Sequence, residues 1–190
     1  MAQSYQTRVF ALSRRNGCDV TSLESIQTSL ANIFQQYGRI DYIVNCAGIL
    51  HFGALANRDY CDIRHEIEVN YFGSINIIKA SLPYLLRNPK GASIALFTSS
   101  SYTRGRALYS IYSSTKAAIT NLGQALAEEL SNENIRVNII NPARTATPMR
   151  TSNFGKEPVE SLLDPDIVAQ TTLYALLSDL SGQVIDVRKN

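Results

Sequence analysis

The sequence predicts an α/β fold built on a doubly wound parallel sheet with helices on both faces. Short apolar runs alternate with amphipathic helical patterns along the whole chain. Uninterrupted apolar strands of this kind are typical of parallel strands that are buried on both faces. With 190 residues, 45% hydrophobic and 18% charged, the chain has the size and composition of one globular domain, which we assign to residues 1–190.

Five strands are predicted from short runs of apolar and β-branched residues, at 8–13, 41–45, 92–99, 136–141 and 183–187. Helices are predicted over 21–37, over about 60–87 with some interruption, over 111–129 and from 164 onwards. Thr21 and Glu24 have the spacing of a capping box, and Gly38 ends the helix that they begin. Asp164 is the predicted cap of the last helix, with Pro165 in its first turn.

Polar residues stand where three of these strands end. Asn45 ends the second strand, Ser99 the third and Asn141 the fourth. Ligands of doubly wound folds bind at the carboxyl ends of the strands. We therefore expect the chemistry of this protein at these positions.

Composition excludes several classes of function. The net charge of +2 is too small for a general nucleic-acid binder. No apolar run reaches the roughly 18 residues of a membrane span, and the first residues do not form a signal peptide, so we expect a cytoplasmic protein without a membrane partner. The three cysteines lack CxxC spacing, and His51 and His65 have no partner pattern, so we expect no disulfide and no metal site.

Tyr112 and Lys116 lie four residues apart on one predicted helix, so their side chains share a face. An ammonium group beside a phenol favours the phenolate and lowers the phenol's pKa from its usual value near 10. Such a pair could act as an acid and base near neutral pH. By itself the spacing is a weak signal, because it also describes a solvated helix face.

The pair has companions at the neighbouring strand ends. Ser99 lies thirteen residues before Tyr112, and Asn70 lies in the preceding long helix. Asn45-Cys46-Ala47-Gly48 and Asn141-Pro142 end the flanking strands. In this order and spacing, the motifs resemble those of the short-chain dehydrogenase/reductase family, whose fold is Rossmann-like. The resemblance extends from about residue 8 to the C-terminus.

The resemblance implies a catalytic role for each of four residues. Tyr112 would be the general acid/base that gives a proton to a carbonyl oxygen as hydride arrives. Lys116 would lower the pKa of Tyr112 and bind the nicotinamide ribose. Ser99 would position the substrate, with Gly105 at the family's usual offset. Asn70 would complete a water-linked proton path through Lys116; without the other three it would be taken for a solvated helix residue.

The resemblance also implies a dinucleotide cofactor. Asn45, Ala47 and Gly48 would line its adenosine side. Asp19 would meet the adenine amino group, although a plain loop acid before a helix cap is the alternative interpretation.

Two further segments bear on the cofactor. Pro142, Thr145 and Thr147 resemble the family segment that contacts the nicotinamide amide. Arg14 and Arg15 follow the first predicted strand, where a basic group favours NADP over NAD. Surface solvation is the competing explanation for these two arginines.

One motif of the family is absent from the sequence, namely the glycine-rich turn after its first strand. Met1–Gln6 resemble the tail of the helix that follows this turn, and the missing strand would lie between the predicted strands at 8–13 and 41–45. We therefore expect an N-terminally incomplete domain that, as given, binds dinucleotide weakly.

Four arginines lie in the expected substrate loops: Arg104 and Arg106 after Ser99, and Arg144 and Arg150 around Thr147. Converging arginines bind a phosphate or carboxylate through paired hydrogen bonds, whereas solvated loop charges are the alternative. The segments 141–150 and 182–188 resemble the reductase part of bifunctional ribitol-5-phosphate cytidylyltransferases. That resemblance implies reduction of ribulose 5-phosphate with NADPH, and a cytidylyltransferase domain upstream.

We therefore expect an NADPH-dependent reductase of a phosphorylated sugar. Because members of the family commonly form dimers or tetramers, the resemblance also implies a homo-oligomer. A generic alcohol dehydrogenase of unknown substrate is one alternative, and a catalytically silent reductase-like scaffold is another. The joint presence of Ser99, Tyr112, Lys116 and Asn70 favours an enzyme.

Overall fold

Four parallel strands form a sheet in the computed structural model, which describes residues 7–189. They lie side by side in chain order as β1 (Tyr42–Asn45), β2 (Ala92–Phe97), β3 (Ile135–Pro142) and β4 (Val184–Val187). Each strand is joined to the next by a helical crossover, so the four carboxyl ends meet at one end of the sheet. The parallel α/β sheet predicted from the sequence is confirmed.

The helices of the described residues are α1 (Leu23–Tyr37), α2 (Tyr60–Ile67), α3 (Gly73–Leu85), α4 (Ser110–Glu129), α5 (Pro148–Phe154) and α6 (Pro165–Leu177), with short 3₁₀ turns between some of them. A π-helical stretch, Glu68–Phe72, joins α2 to α3 and is the interruption predicted in this long helix. Asp164 caps α6 through the N–H of Asp166, as predicted. Across residues 7–189, no helix has both the length and the apolar run that crossing a bilayer requires.

Different helices cover the two faces of the sheet. Ile94 and Leu96 of β2 are buried in one core, with Ile119 of α4, and α1 and α3 complete this layer. Ala95 lies in a second core, on the opposite face, which α6 covers. Because successive side chains of a strand point to opposite faces, a strand as apolar as β2 requires cover on both sides.

The strand predicted at Arg8–Ser13 is wrong, since these residues form no strand and all of them are exposed. Within residues 7–189 no strand lies beside them, so their backbone groups have no ladder to join. Phe10 instead contacts Tyr37 of α1, with the two ring centroids 5.0 Å apart. The helix tail proposed for Met1–Gln6 lies outside the described residues.

The start of α1 is shifted by one residue from the prediction. The cap is Ser22, whose hydroxyl accepts the N–H of Ser25, rather than Thr21. Thr21 donates its N–H and its hydroxyl to the Asp19 carboxylate, at 2.9 and 2.8 Å, and is therefore engaged in the preceding turn. The predicted end of the helix at Gly38 is confirmed.

Helix α4 approaches the sheet closely at Gly123. A Cβ atom built on this residue would stand 2.8 Å from Cγ1 of Ile139 and 3.3 Å from Cδ1 of Leu96. Glycine therefore sets the distance between the helix and the sheet. The same helix carries Lys116 two turns earlier, so the close approach also fixes how far this side chain lies from the strand ends.

We expect Gly123→Val to lower the free energy of unfolding by about 1–3 kcal/mol, because the added side chain overpacks the contact with β2 and β3. Gly105→Val is the matched control, since a Cβ at Gly105 meets no atom within 4 Å. Urea unfolding followed by circular dichroism measures both. Equal losses in the two variants would contradict a need for close approach at Gly123.

Candidate active site

The side chain of Lys116 is buried where β2 ends. Its ammonium group donates to the carbonyl oxygen of Phe97 at 2.9 Å, and only 4% of the residue is exposed. The hydroxyl of Thr98 donates in turn to the carbonyl oxygen of Lys116 at 2.8 Å. Burial lowers the pKa of Lys116 to about 8, with the nearby Cys46 opposing this change. The ammonium group is therefore held at the end of β2. Its lowered pKa lies close enough to neutral pH for the group to release a proton.

Tyr112 lies one helical turn before Lys116 and faces Ser99. Burial raises the pKa of Tyr112 to about 12, and a hydrogen bond with Ser99 opposes this rise. The Lys116 ammonium lies 5.5 Å from the centroid of the phenol ring, and its hydrogen bond is to Phe97. The structure thus corrects the expectation that Lys116 lowers the pKa of Tyr112, because desolvation of the phenolate dominates here. At neutral pH the phenol is protonated.

Ser99 stands just beyond the end of β2. Its oxygen accepts hydrogen bonds from the N–H and the hydroxyl of Ser101, at 3.4 and 3.3 Å. Ser101 is buried and supports the loop, whereas Ser99 bonds with Tyr112. The structure therefore brings together the predicted serine and tyrosine.

Asn70 lies in the π-helical stretch and is fully buried. Its side-chain oxygen accepts the N–H of Ile49 at 2.8 Å. Its amide group donates to the Ile49 carbonyl at 3.0 Å and to the Thr115 hydroxyl at 3.1 Å. Asn70 thus ties the loop after β1 to helix α4. Single π turns inside helices often occur at functional sites, and this one places Asn70 between the two segments.

The turn after β1 is shaped by Asn45. The side chain of Asn45 donates to the Ser74 hydroxyl at 2.9 Å and accepts the N–H of Ala47 at 3.0 Å. A Cβ atom on the next residue, Gly48, would stand 3.4 Å from the Asn70 oxygen and 3.4 Å from the Lys116 nitrogen. Because Gly48 has no side chain, its backbone faces these two polar groups directly.

The remaining candidates for the adenosine side lie near the start of the described chain. Arg14 and Arg15 are exposed in one 3₁₀ turn. Hydrogen bonds from Thr21 hold the pKa of Asp19 below its usual value, with weaker help from Arg14. The carboxylate of Asp19 thus accepts hydrogen bonds within the loop before the cap of α1, as the plain loop acid that the sequence left open as the alternative.

The loop after β3 carries the candidates for the nicotinamide side. The strand ends at Pro142, and the hydroxyl of Thr145 donates to the carbonyl of Ala143 at 2.8 Å. Thr147 caps α5 by accepting the N–H of Arg150. In the structure, the hydroxyl groups of Thr145 and Thr147 therefore form hydrogen bonds within this loop and at the start of α5.

The four loop arginines fall into two different environments. Arg104 and Arg106 are exposed, and neither forms an ion pair within residues 7–189. Arg150 and Arg144 instead meet at the carboxylate of Glu157, at 2.5 and 3.5 Å. The predicted convergence therefore holds for one pair, and an internal carboxylate already occupies it.

An aromatic cluster beside Tyr112 was not predicted from the sequence. It consists of Phe52, Tyr109 and Phe154, whose ring centroids lie 5.2 to 6.0 Å apart. The ring of Tyr109 lies 6.3 Å from that of Tyr112. The three residues come from distant segments of the chain, so no spacing in the sequence indicates their contact.

A buried ion pair also lies close to the phenol. Glu66 is fully buried, binds Arg58 at 2.6 Å and accepts the N–H of His51 at 3.3 Å. Its negative charge contributes to the raised pKa of Tyr112. The one signal in the sequence was a glutamate on the same helix face as Ile63 and Asn70, where an apolar residue would be expected.

The backbone immediately before α4 is strained. Leu108 has φ +69°, a left-handed conformation that leucine rarely adopts. Its carbonyl oxygen accepts the N–H of Gly53 at 2.6 Å. The loop after β1 therefore helps to hold the turn from which α4, and with it Tyr112, begins.

The residues present fit one half of a dinucleotide. The buried polar groups of Lys116 and Asn70 converge at the strand ends, where a nicotinamide riboside would bind. Within residues 7–189 no glycine-rich turn joins a strand to a helix N-terminus, where the pyrophosphate of such a cofactor is bound.

Comparison with known proteins agrees with this geometry. The family described as "short chain dehydrogenase" matches residues 8–158. The chain is 46% identical over 187 residues to the bifunctional ribulose 5-phosphate reductase/CDP-ribitol pyrophosphorylase Bcs1 of Haemophilus influenzae. The match covers 98% of this chain and 39% of Bcs1, so the chain spans about two fifths of that relative's length.

Solved structures show the same fold. A short chain dehydrogenase from Salmonella enterica serovar Typhi superposes with a TM-score of 0.82 at 29% identity, covering 90% of this chain and 72% of that one. A short chain dehydrogenase from Shigella flexneri, complexed with NADP, superposes with a TM-score of 0.79 at 28% identity, covering 87% and 70%.

We expect Lys116→Met to remove a pH dependence of stability. The pKa of Lys116 is about 8 in the folded protein against an ordinary value of 10.5, so the unfolded chain binds more protons between these two pH values. The free energy of unfolding of the parent protein should therefore rise with pH in this window, by about 2–3 kcal/mol between pH 8 and pH 10, and that of Lys116→Met should lack this rise. Urea unfolding at pH 7, 8, 9 and 10 measures the slope.

The exposed Lys79 of α3 provides the control, because Lys79→Met should keep the slope of the parent protein. If Lys116→Met kept it as well, the ammonium group would not be buried in solution.

Proposed function

Because the chain belongs to the short-chain dehydrogenase family, we propose that it reduces the carbonyl of a phosphorylated sugar, ribulose 5-phosphate, with NADPH. The observation that carries the proposal is the convergence of Ser99, Tyr112, Lys116 and Asn70 at the strand ends. An enzyme needs a proton donor and a hydroxyl group at one reacting carbonyl, whereas a scaffold needs no buried lysine beside a half-buried phenol.

Each of the four residues has a separate task in this reaction. The phenol of Tyr112 is protonated at neutral pH, and it gives its proton to the carbonyl oxygen. The hydroxyl of Ser99 bonds to the same oxygen and holds it against the phenol. Lys116 restores a proton to Tyr112 and binds the ribose of the cofactor, and Asn70 keeps the loop at Ile49 in register with α4. When bound, the nicotinamide supplies the hydride.

The preference for NADPH rests on Arg14 and Arg15. Both are exposed in a short turn, and guanidinium groups bind a ribose 2′-phosphate well. In this proposal the adenosine side of the cofactor is lined by Asn45, Ala47 and Gly48. The nicotinamide side is contacted by Pro142, Thr145 and Thr147.

The choice of substrate rests on Bcs1 and on the arginines. Bcs1 is named a ribulose 5-phosphate reductase, and this chain covers 39% of that protein. The pair formed by Arg144 and Arg150 is suited to a phosphate, since guanidinium groups bind phosphate oxygens through paired hydrogen bonds.

The direct test is the loss of NADPH absorbance when the full-length protein meets ribulose 5-phosphate. Turnover of this compound in preference to ribulose supports the proposal. Turnover of other carbonyl compounds alone would indicate a generic alcohol dehydrogenase, and no turnover of any carbonyl compound would indicate a scaffold.

We expect Tyr112→Phe to lower kcat by about 10²–10⁴-fold while the Kd for NADPH changes little, because only the proton donor is removed. Steady-state kinetics and cofactor titration of the full-length protein measure the two quantities. The exposed Tyr60→Phe is the control and should match the parent protein. Substantial reductase activity in Tyr112→Phe would contradict the role given to this residue.

We expect the double variant Arg14→Ala/Arg15→Ala to raise the KM for NADPH by about 10-fold or more while leaving that for NADH nearly unchanged, because only NADPH carries the 2′-phosphate. Arg87→Ala, an exposed arginine beyond α3, is the matched control. Equal effects on the two cofactors would remove the argument for NADP specificity.

A further inference from the structure

We propose that Glu157 is a specificity-determining residue, whose carboxylate holds Arg144 and Arg150 until the phosphate of the substrate takes its place. The inference rests on the proposed function, since it needs a substrate with an anionic group. It goes beyond that function because it makes Glu157, a residue of the chain itself, a competitor of the substrate phosphate for the same two arginines.

The contacts of Glu157 are those of a bound anion. Nε and one terminal nitrogen of Arg150 donate to its two carboxylate oxygens, at 2.5 and 2.9 Å. Arg144 approaches one of these oxygens at 3.5 Å. The hydrogen bond from Arg150, followed by the charges of both arginines, holds the pKa of Glu157 below its usual value. Two guanidinium groups on one carboxylate leave a net positive charge, which a dianionic phosphate would neutralise better.

The arginine pair adjoins the aromatic cluster beside Tyr112. The guanidinium group of Arg150 lies 3.8 Å from the centroid of the Phe154 ring. Phe154 contacts Tyr109 at 5.7 Å between centroids, and Tyr109 contacts Tyr112 at 6.3 Å. A path of rings therefore runs from the proposed proton donor to the arginine pair. The arginine pair and the proposed proton donor thus border the same aromatic cluster.

The segment that carries Glu157 can release it without unfolding the neighbouring elements. It begins at Gly155, whose φ of +76° provides a turn after α5. It ends at the buried Leu163, which exchanges backbone hydrogen bonds with Arg144 and Ala146 at 2.7 and 2.9 Å. Most of residues 156–162 is exposed between these two points. Displacing the Glu157 side chain therefore breaks its contacts with the arginines and leaves both anchors in place.

This arrangement discriminates between anions. A neutral sugar does not displace the carboxylate, because the exchange would leave the positive charges of the arginines uncompensated, so Glu157 has no effect on its KM. A phosphorylated sugar displaces the carboxylate, since it brings a stronger anion to the same donors. Glu157 thus raises the KM for anionic substrates and prevents smaller or weaker anions from occupying the pair.

The test compares Glu157→Gln with Glu160→Gln in the full-length protein. Glu160 is an exposed residue of the same segment and forms no ion pair within residues 7–189, so its variant is the matched control. We expect Glu157→Gln to lower the KM for ribulose 5-phosphate by about 10-fold and to leave that for ribulose unchanged. Glu157→Ala should behave in the same way, and Arg150→Ala should abolish the difference between the two sugars.

Binding of inorganic phosphate gives a second readout that does not depend on turnover. In calorimetric titration, phosphate should bind Glu157→Gln about 10-fold more tightly than it binds the parent protein and Glu160→Gln. If the parent protein fails to reduce ribulose 5-phosphate while phosphate still binds Glu157→Gln more tightly, the proposed function is wrong and the anion exchange stands. Unchanged or weaker phosphate binding by Glu157→Gln would overturn the inference, since Glu157 would then support the arginines rather than compete for them.

Discussion

The buried ammonium group of Lys116 constrains much of the structure around the strand ends. A charged group with so little exposure needs hydrogen-bond acceptors, because transfer of an isolated charge from water is strongly unfavourable. The carbonyl of Phe97, the last residue of β2, provides one. The bare backbone of Gly48 leaves room for the same group. Close contact of α4 with the sheet at Gly123 keeps the lysine at this depth.

The pKa values of the lysine and the phenol respond to burial in opposite senses. Burial favours the neutral forms of both, so the pKa of Lys116 falls to about 8 while that of Tyr112 rises to about 12. Burial thereby reverses the order of the two groups, since the ordinary pKa of lysine, 10.5, lies slightly above that of tyrosine, 10.0. In this state the phenol is the stronger holder of its proton, and a change of charge close by, on substrate or cofactor, shifts the balance between them.

Local signals in the sequence predicted most of the fold, and non-local contacts account for what they missed. Parallel strands followed from apolar runs that need cover on two faces, and the polar residues Ser99 and Asn45 near strand ends indicated the candidate site. The strand at 8–13 was wrong because an apolar run becomes a strand only beside a partner. The aromatic cluster was missed because its rings come from distant segments of the chain, and Glu157 was missed because it lies beyond the end of α5, where no helical period relates it to Arg150.

The left-handed conformation of Leu108 links the start of α4 to a distant loop. The strain at Leu108 is held by the bond between its carbonyl and Gly53, so the first turn of α4 takes its direction from a loop more than fifty residues away in sequence. A glycine at position 108 would relieve the strain and loosen that dependence at the same time. The conformation of Leu108 therefore couples the stability of this turn to the direction in which α4 begins.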